Sequence, residues 1–302
     1  MKPSRKVSVR IPGSTSNCGA GFDSLGMAVD INNVITVTSV DGSYLVQAER
    51  ESDGKAQAMV VEAAALFFKQ TKREPFGFQF RIEGNVPSAR GLGSSVTVRA
   101  GIIAALDVLS DTRITRQQIV SMVTELEGHP DNAAASILGG FCVARADPST
   151  GVYIDSIRVD VPHDLVFVTA SSLLEVSTNV SRGTLPSKLP YFDAVRSINS
   201  AVYLVAAMTT GNYDRLSHAV SDFMHEPYRL PGIPGAAEAI AAGVKAGAYT
   251  GWLSGSGSSV MCVCRSELGD IVLAAMRKVY VDNDQLCEAA VLRADNSGLH
   301  LA

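Results

Sequence analysis

The sequence predicts an α+β fold in two parts, and three observations carry that prediction. Strand-like segments with apolar and polar residues alternating are mixed along the chain with segments at helical spacing. An Asp41-Gly42 turn between two of the former points to antiparallel pairing. The length of 302 residues also leaves room for two domains of ordinary size. The boundary is set at Pro162-His163, giving parts of residues 1–161 and 162–302.

Val7-Ser8-Val9-Arg10-Ile11 alternates as a strand and breaks at Pro12-Gly13 into a polar loop that runs to Asp23. Residues 34–40 and 44–49 read as two antiparallel strands joined at Asp41-Gly42. Residues 56–70 carry Met59, Ala63, Leu66 and Phe67 at helical spacing, and 76–82 alternate again. The order that follows is glycine loop and then helix, with residues 95–109 apolar on nearly every face. Such a helix is covered on several sides rather than lying at the surface. Thr115 caps a helix that ends at Glu127, a polar corner follows, and 133–138 form a short helix. Strands at 141–144 and 153–159 flank the turn Asp147-Pro148-Ser149-Thr150-Gly151. The second part reads as strand 165–169, helices 191–208 and 236–246, strand–glycine loop–strand over 251–264, helix 271–280 and strand 286–293.

Composition narrows the classes of function. The formal charge of −4 is mild and no run of Lys or Arg marks a path for a phosphodiester backbone, which argues against nucleic acid. The longest apolar run is interrupted by Arg99 and Asp107 too early to span a bilayer, and the first ten residues lead into Ser, Thr and Asn rather than an apolar stretch. A soluble cytoplasmic protein without membrane partners is expected. Five cysteines at irregular spacing argue against a disulfide framework, and Cys262 and Cys264, on one side of a strand, are expected to be core thiols.

The stretch Pro87-Ser88-Ala89-Arg90-Gly91-Leu92-Gly93-Ser94-Ser95 runs directly into the central helix. Gly91 and Gly93 permit backbone angles closed to other residues, and Ser94 and Ser95 supply a cap and hydroxyls at the helix start. A helix start of this kind attracts anions, phosphate above all. It lacks the lysine of the common phosphate loop, since Ser94 follows Gly93. Two further small-residue loops accompany it, Ser14-Thr15-Ser16-Asn17-Cys18-Gly19-Ala20-Gly21-Phe22-Asp23 and Ser254-Gly255-Ser256-Gly257-Ser258-Ser259. Three such loops suggest one shared site. The corner Glu127-Gly128-His129-Pro130-Asp131-Asn132 adds carboxylates, which a nucleotide-bound divalent cation needs together with hydroxyl oxygens.

With these motifs the sequence resembles the GHMP kinases, a superfamily of small-molecule kinases, over essentially its whole length. Residues 12–23 resemble the first motif in the form of the homoserine kinase branch, 87–95 the ATP-binding motif and 253–259 the third motif. The E-G-H-P-D-N string at 127–132 points most specifically to that branch, supported by Thr178-Asn179-Val180-Ser181-Arg182-Gly183-Thr184-Leu185-Pro186 and His225-Glu226-Pro227-Tyr228-Arg229. The resemblance implies an N-terminal domain like domain 2 of ribosomal protein S5 and a ferredoxin-like C-terminal domain. It also implies ATP and Mg²⁺ as cofactors and phosphorylation of L-homoserine to O-phospho-L-homoserine on the way to threonine. Departures lie at Cys18 and Ala20, where Leu and Pro are usual, and at Val96-Thr97-Val98 in place of a run of alanines. Cys18, beside Asn17, is expected to be open to thiol reagents.

Residue by residue, the resemblance places Pro87, Ser88, Ala89, Arg90, Gly91, Leu92, Gly93, Ser94 and Ser95, with Gly255 and Gly257, around the triphosphate. Ser94 or Ser95 and a glutamate would hold Mg²⁺. Glu127 belongs to the motif string and is preferred, and Glu125, which cannot share its helix face, is the alternative. Asn17, Asp23, His129 and Asn132 are implied around the acceptor's amino group, and Arg182 and Arg229 at its carboxylate. This agrees with an ammonium's need for a carboxylate and the fit of a carboxylate to the guanidinium fork. Ser94, Ser95, Arg182 and Asp131 are the expected catalytic set. Asp131 stands near the place where mevalonate-type relatives keep an aspartate base, but the homoserine branch implies transfer without one, which a loose transition state tolerates. Two alternatives stay open: a sibling kinase for threonine or mevalonate, and a ligand-binding protein that no longer transfers phosphate. A homodimer is the one macromolecular association allowed for.

Overall fold

The first strand does not stop at its proline. In the computed structural model, which describes residues 4–40 and 44–302, β1 (Lys6–Ser16) continues along β2 (Leu25–Val40) on both sides of a register shift between Pro12 and Gly13. Such an irregularity accommodates a residue that has no N–H to give to the ladder. The polar loop is therefore shorter than expected, and Ser14, Thr15 and Ser16 sit buried on a strand end.

The antiparallel pairing expected between residues 34–40 and 44–49 is not made. The Asp41-Gly42 turn lies outside the described residues, but β3 (Val46–Ala48) pairs parallel with β4 (Gly77–Gly84), and β4 takes the edge of β2 over Asn33 to Val40. The competition is decided by burial. Phe78 and Phe80 are fully buried on β4, whereas Tyr44 and Leu45 ahead of β3 remain exposed, so the place beside β2 goes to the segment with more apolar area to remove from water. Among the described residues the sheet runs β11-β1-β2-β4-β3, with β11 (His300–Leu301) bringing the last residues back to β1. At its other end β2 pairs with β5 (Phe141–Ala146), which in turn pairs with β6 (Tyr153–Val159).

Helices α1 (Gln57–Thr71), α2 (Ser94–Ser110), α3 (Arg116–Glu127) and α4 (Asp131–Leu138) contribute to one core with this sheet. The apolar character of α2 has the predicted consequence: Ile102, Ile103 and Leu106 are fully buried. Thr115 and Gln118 form a reciprocal capping box at the start of α3. Gly128, in the left-handed region at φ 83°, ends that helix and turns the chain into α4.

The second sheet has the order β10-β7-β9-β8, from β7 (Leu165–Ser172), β8 (Thr250–Leu253), β9 (Ser259–Arg265) and β10 (Cys287–Arg293). With α8 (Ala236–Lys245) between β7 and β8 and α9 (Gly269–Asp282) between β9 and β10, this is the ferredoxin-like arrangement the resemblance implies. Ala236, Ala239, Val272 and Met276 of these helices share a core with Cys262 and Cys264, which are core thiols as expected. A further core joins Met27, Val29 and Phe141 of the first sheet to Phe167, Trp252 and Met261 of the second. Cys18 belongs to it. Its thiol is buried and burial pushes its pKa far up, with Asp131 and Glu226 adding to the shift, so the expected reactivity toward thiol reagents is not borne out. The remaining helices are α5 (Thr178–Gly183), α6 (Tyr191–Thr210) and α7 (Glu226–Arg229), and Arg182 and Arg229 lie on the short α5 and α7 rather than in loops. Among the described residues no helix is long and apolar enough to cross a membrane.

Candidate active site

The three small-residue loops are bonded into one structure. The Ser14 N–H donates to the carbonyl of Leu92 (3.1 Å), the Gly255 N–H to Ser16 (3.3 Å) and the Ser259 N–H to Arg90 (3.1 Å). The Ser254 hydroxyl donates to the carbonyl of Gly91 (2.6 Å), and the Asn17 side-chain N–H to that of Gly255 (3.2 Å). The small residues are what permit this approach. Gly91 has φ 75°, and a Cβ there would stand 2.0 Å from the Ser254 carbonyl oxygen; at Gly93, φ 73°, it would stand 2.4 Å from Ser14 Oγ.

Gly93, not a serine, is the N-cap of α2, with no side-chain capping bond, so the cap expected from Ser94 and Ser95 is not made. The serines occupy the first two helical positions, where N–H groups have no carbonyl a turn earlier to bond. Ser94 and Ser95 both line a cleft of about 580 Å³, in the ordinary range for small-ligand sites. The Ser95 hydroxyl donates to one oxygen of Glu127 (3.0 Å), and Arg99 holds the other (2.6 Å) while also reaching Glu62 (3.0 Å). Glu125 does not line the cleft; its carboxylate accepts from the side chain of Gln70 (2.7 Å). A carboxylate and a hydroxyl side by side at a helix start form a hard oxygen donor set of the kind Mg²⁺ takes.

The other end of the cleft is made of charged side chains. Arg182 grips Asp23 through both guanidinium nitrogens (2.5 and 3.1 Å). Arg229 is buried and donates to the Gly255 carbonyl (3.2 Å), and burial together with the like charge of Arg182 lowers its pKa to about 10. Both guanidiniums lie over the ring of Phe22, at 5.3 and 5.0 Å from its centroid. Behind them His225 holds the Gly19 carbonyl (2.8 Å), fixing α7 to the first loop.

His129 and Asp131 form a buried pair, Nδ1 to Oδ1 at 2.6 Å. Burial alone would lower the histidine's pKa, but the adjacent carboxylate outweighs it and raises the value to about 9. For Asp131 burial acts upward, yet His129 and the Asn132 N–H hold its carboxyl below the usual range. Asn132 is spent on the loops: its amide accepts from Ser14 (2.9 Å) and donates to Ser16 (2.9 Å). Asn17 accepts the Asp23 N–H (3.1 Å).

The cleft thus brings together Ser88, Ala89, Arg90, Gly91, Gly93, Ser94, Ser95 and Glu127 with Asn17, Asp23, His129, Asp131, Asn132, Arg182 and Arg229, and Gly255 joins the two groups through its carbonyl, which accepts from Asn17 and Arg229. Pro87, Leu92, Gly257 and Glu125 are not among its walls. Leu92 is buried in the joining core, and Gly257 packs against Gly91 and Ile233. The sequence reading missed a third group of walls, Ser52, Asp53, Lys55, Met59 and Val98, which line the same cleft. These come from the 3-10 segment 51–56 and the faces of α1 and α2 next to it. Arg99 was also missed: in the sequence it only interrupts an apolar run.

The chain matches the family described as GHMP kinases N terminal domain over residues 58–140, and GHMP kinases C terminal over 204–282. A homoserine kinase of Moorella thermoacetica is 35% identical over 276 residues, covering 89% of this chain and 92% of that protein. The chain belongs to the homoserine kinase family of the GHMP kinases. Another member, from Synechococcus sp. strain CC9311, is 33% identical over 302 residues, covering 97% of this chain and 95% of its own. The fold agrees: the crystal structure of homoserine kinase from Cytophaga hutchinsonii superposes with a TM-score of 0.88 at 24% identity, covering 98% and 97% of the two chains. A mevalonate kinase structure superposes with a TM-score of 0.68 at 12% identity, covering 96% of this chain. The homoserine kinase family thus shares with more distant GHMP kinases the frame on which these loops sit.

Proposed function

We propose that this protein transfers the γ-phosphoryl group of ATP to the hydroxyl of L-homoserine, forming O-phospho-L-homoserine, as a cytoplasmic homodimer. The observation that carries the reading is the division of one cleft into an anion cradle and a patch offering both signs of charge, Asp23 beside Arg182 and Arg229. A zwitterionic amino acid presents the complementary pair. Mevalonate has no ammonium to meet Asp23, whose charge would then be matched by Arg182 alone, the same arginine its carboxylate needs, which disfavours that sibling reading. Residues 1–161 supply the start of α2 and the metal-binding oxygens, and residues 162–302 supply the arginines and the third loop.

In this reading the backbone of 88–95 and Gly255 cradle the triphosphate, and Ser94, Ser95 and Glu127 would hold Mg²⁺. When bound, the ion offsets phosphate charge and orients the transferring group. Arg99 fixes the Glu127 carboxylate, so its free geometry points at the cleft rather than at solvent. Asp23, with Asn17 and the His129–Asp131 pair nearby, receives the ammonium, and the two arginines receive the carboxylate and bring the hydroxyl toward the cradle. Asp131 is a weak base, already committed to His129, and the transfer runs without a dedicated base, because its transition state asks mainly for in-line placement and charge stabilisation.

Coupled ADP release with Mg-ATP across homoserine, threonine and mevalonate tests the assignment. Saturable turnover with homoserine, at a kcat/KM at least about tenfold above the other two, is the expected result. Nucleotide binding without turnover on any of them would contradict it.

A further inference from the structure

Arg182 is bonded to Asp23, whereas Arg229 bonds only the Gly255 carbonyl among the described residues, and its buried Nε has no partner. Burial and the like charge of Arg182 both act against keeping that cation where it is. Its place is therefore imposed by the backbone that carries it, and α7, with four residues, is too short to be stable unaided.

One side chain closes the start of α7. The carboxylate of Asp222 is fully buried; its Oδ1 accepts the Met224 N–H (2.9 Å) and its Oδ2 those of His225 (2.8 Å) and Glu226 (2.7 Å). Pro227 has no N–H to satisfy, and the N–H groups of Tyr228 (3.1 Å) and Arg229 (3.0 Å) donate to the His225 carbonyl. Every N–H from Met224 to Arg229 thus ends on Asp222 or on a residue that Asp222 holds. Asp222 is itself held from behind: the N–H groups of its neighbours Ser221 and Phe223 donate to Ser200 Oγ (2.8 Å) and Ser197 Oγ (3.0 Å), buried serines of α6. On the far side the Glu226 carboxyl accepts the Leu253 N–H (2.7 Å), which joins α7 to the strand leading into the third loop.

Asp222 also acts on Arg229 as a charge. The other carboxylates near that guanidinium, Asp23 and Asp131, are bonded to Arg182 and His129. His225, 3.6 Å from Asp222, has its pKa lowered by burial and is neutral at pH 7, so it does not cancel the charge of Asp222. We propose that Asp222, which does not line the cleft, is a positioning residue for the transfer: it holds α7 in place and thereby aims Arg229 at the carboxylate of the acceptor. The proposal rests on the homoserine reading above and adds to it a residue that acts only through Arg229.

Two measurements on the full chain test it. The first, amide hydrogen exchange, needs no substrate: in Asp222→Ala, exchange at residues 224–229 should quicken at least about tenfold while β7 and β9 keep their protection. Unchanged exchange there, or an equal rise across β7 and β9, would overturn the proposal. The second is the pair of KM values in Asp222→Ala, Arg229→Ala and the double variant. Asp222→Ala should raise KM for homoserine at least about tenfold and KM for ATP less than about twofold. Asp222→Asn, which keeps one acceptor oxygen, should fall between wild type and alanine; should alanine prevent folding, the asparagine variant carries both measurements. In the Arg229→Ala background the Asp222 substitution should change KM for homoserine less than about twofold, because its route to the substrate is gone. Effects that multiply, or that fall equally on both substrates, would show a general structural role and overturn the proposal. An Arg229→Ala variant with unchanged KM for homoserine would count against the acceptor reading instead, and the exchange result alone would then decide whether Asp222 holds α7.

Discussion

The two ends of the cleft are built from different materials. The cradle is mostly backbone: glycine loops from three distant parts of the chain, bonded carbonyl to N–H, at the first turn of a helix whose body is locked in the core. The end we assign to the acceptor is mostly side chains: Arg182 bonded to Asp23, His129 bonded to Asp131, and Arg229 over the Phe22 ring beside Arg182. A backbone site recognises what all nucleoside triphosphates share, and its tolerance to substitution is set by sterics. A side-chain site recognises what is particular to one acceptor, and it can be retuned one residue at a time.

The cradle is where the largest effect is expected. Glu127→Gln should lower kcat by about 10²–10³ and raise the Mg²⁺ requirement, because it weakens the carboxylate set beside Ser95. Glu125→Gln, which loses a charge outside the cleft but can still accept from Gln70, should stay within about twofold. If the metal requirement followed Glu125 instead, the division of the cleft drawn above would be wrong at its centre.

A smaller effect separates the ends by pH. His129 has its pKa raised in the fold, so its pairing with Asp131 stabilises fully below about pH 6.5 and the contribution is lost as pH rises through about 9. Asp131 is lowered, and its contribution is lost on the acid side, as pH falls below the usual carboxylate range. Urea unfolding of wild type against His129→Gln should therefore show a stability difference on the order of 1–3 kcal/mol near pH 6 that shrinks toward pH 9. The same titration should leave ATP affinity flat, since we assign the pair to the acceptor end.

Much of the cradle was legible in the sequence because its chemistry is local. Gly91 and Gly93 before a helix, the Thr115 cap, and the apolar faces of α2 are signals contained within a few residues, and each appears where its pattern placed it. What failed involved competition between distant segments. Asp41-Gly42 is a sound local turn signal, but Phe78 and Phe80 outbid residues 44–49 for the edge of β2. Arg99 looked like a break in an apolar run because its partners, Glu62 and Glu127, are 37 and 28 residues away. Asp23 and Arg182 are 159 residues apart, and only the family motifs brought them into one site before the fold did. The walls at Ser52, Asp53 and Lys55 come from a short 3-10 segment of mixed polar residues, which has neither the period of a helix nor that of a strand to announce it.

The central claim, that backbone holds the nucleotide and side chains hold the acceptor, is tested most directly by measuring both KM values in Arg182→Ala and Gly91→Ala. The arginine variant should raise KM for homoserine by about 10–100-fold with KM for ATP within about twofold. The glycine variant, whose new Cβ would meet the Ser254 carbonyl, should raise KM for ATP by at least about tenfold and that for homoserine less. A larger effect of Arg182→Ala on ATP than on homoserine would contradict the account.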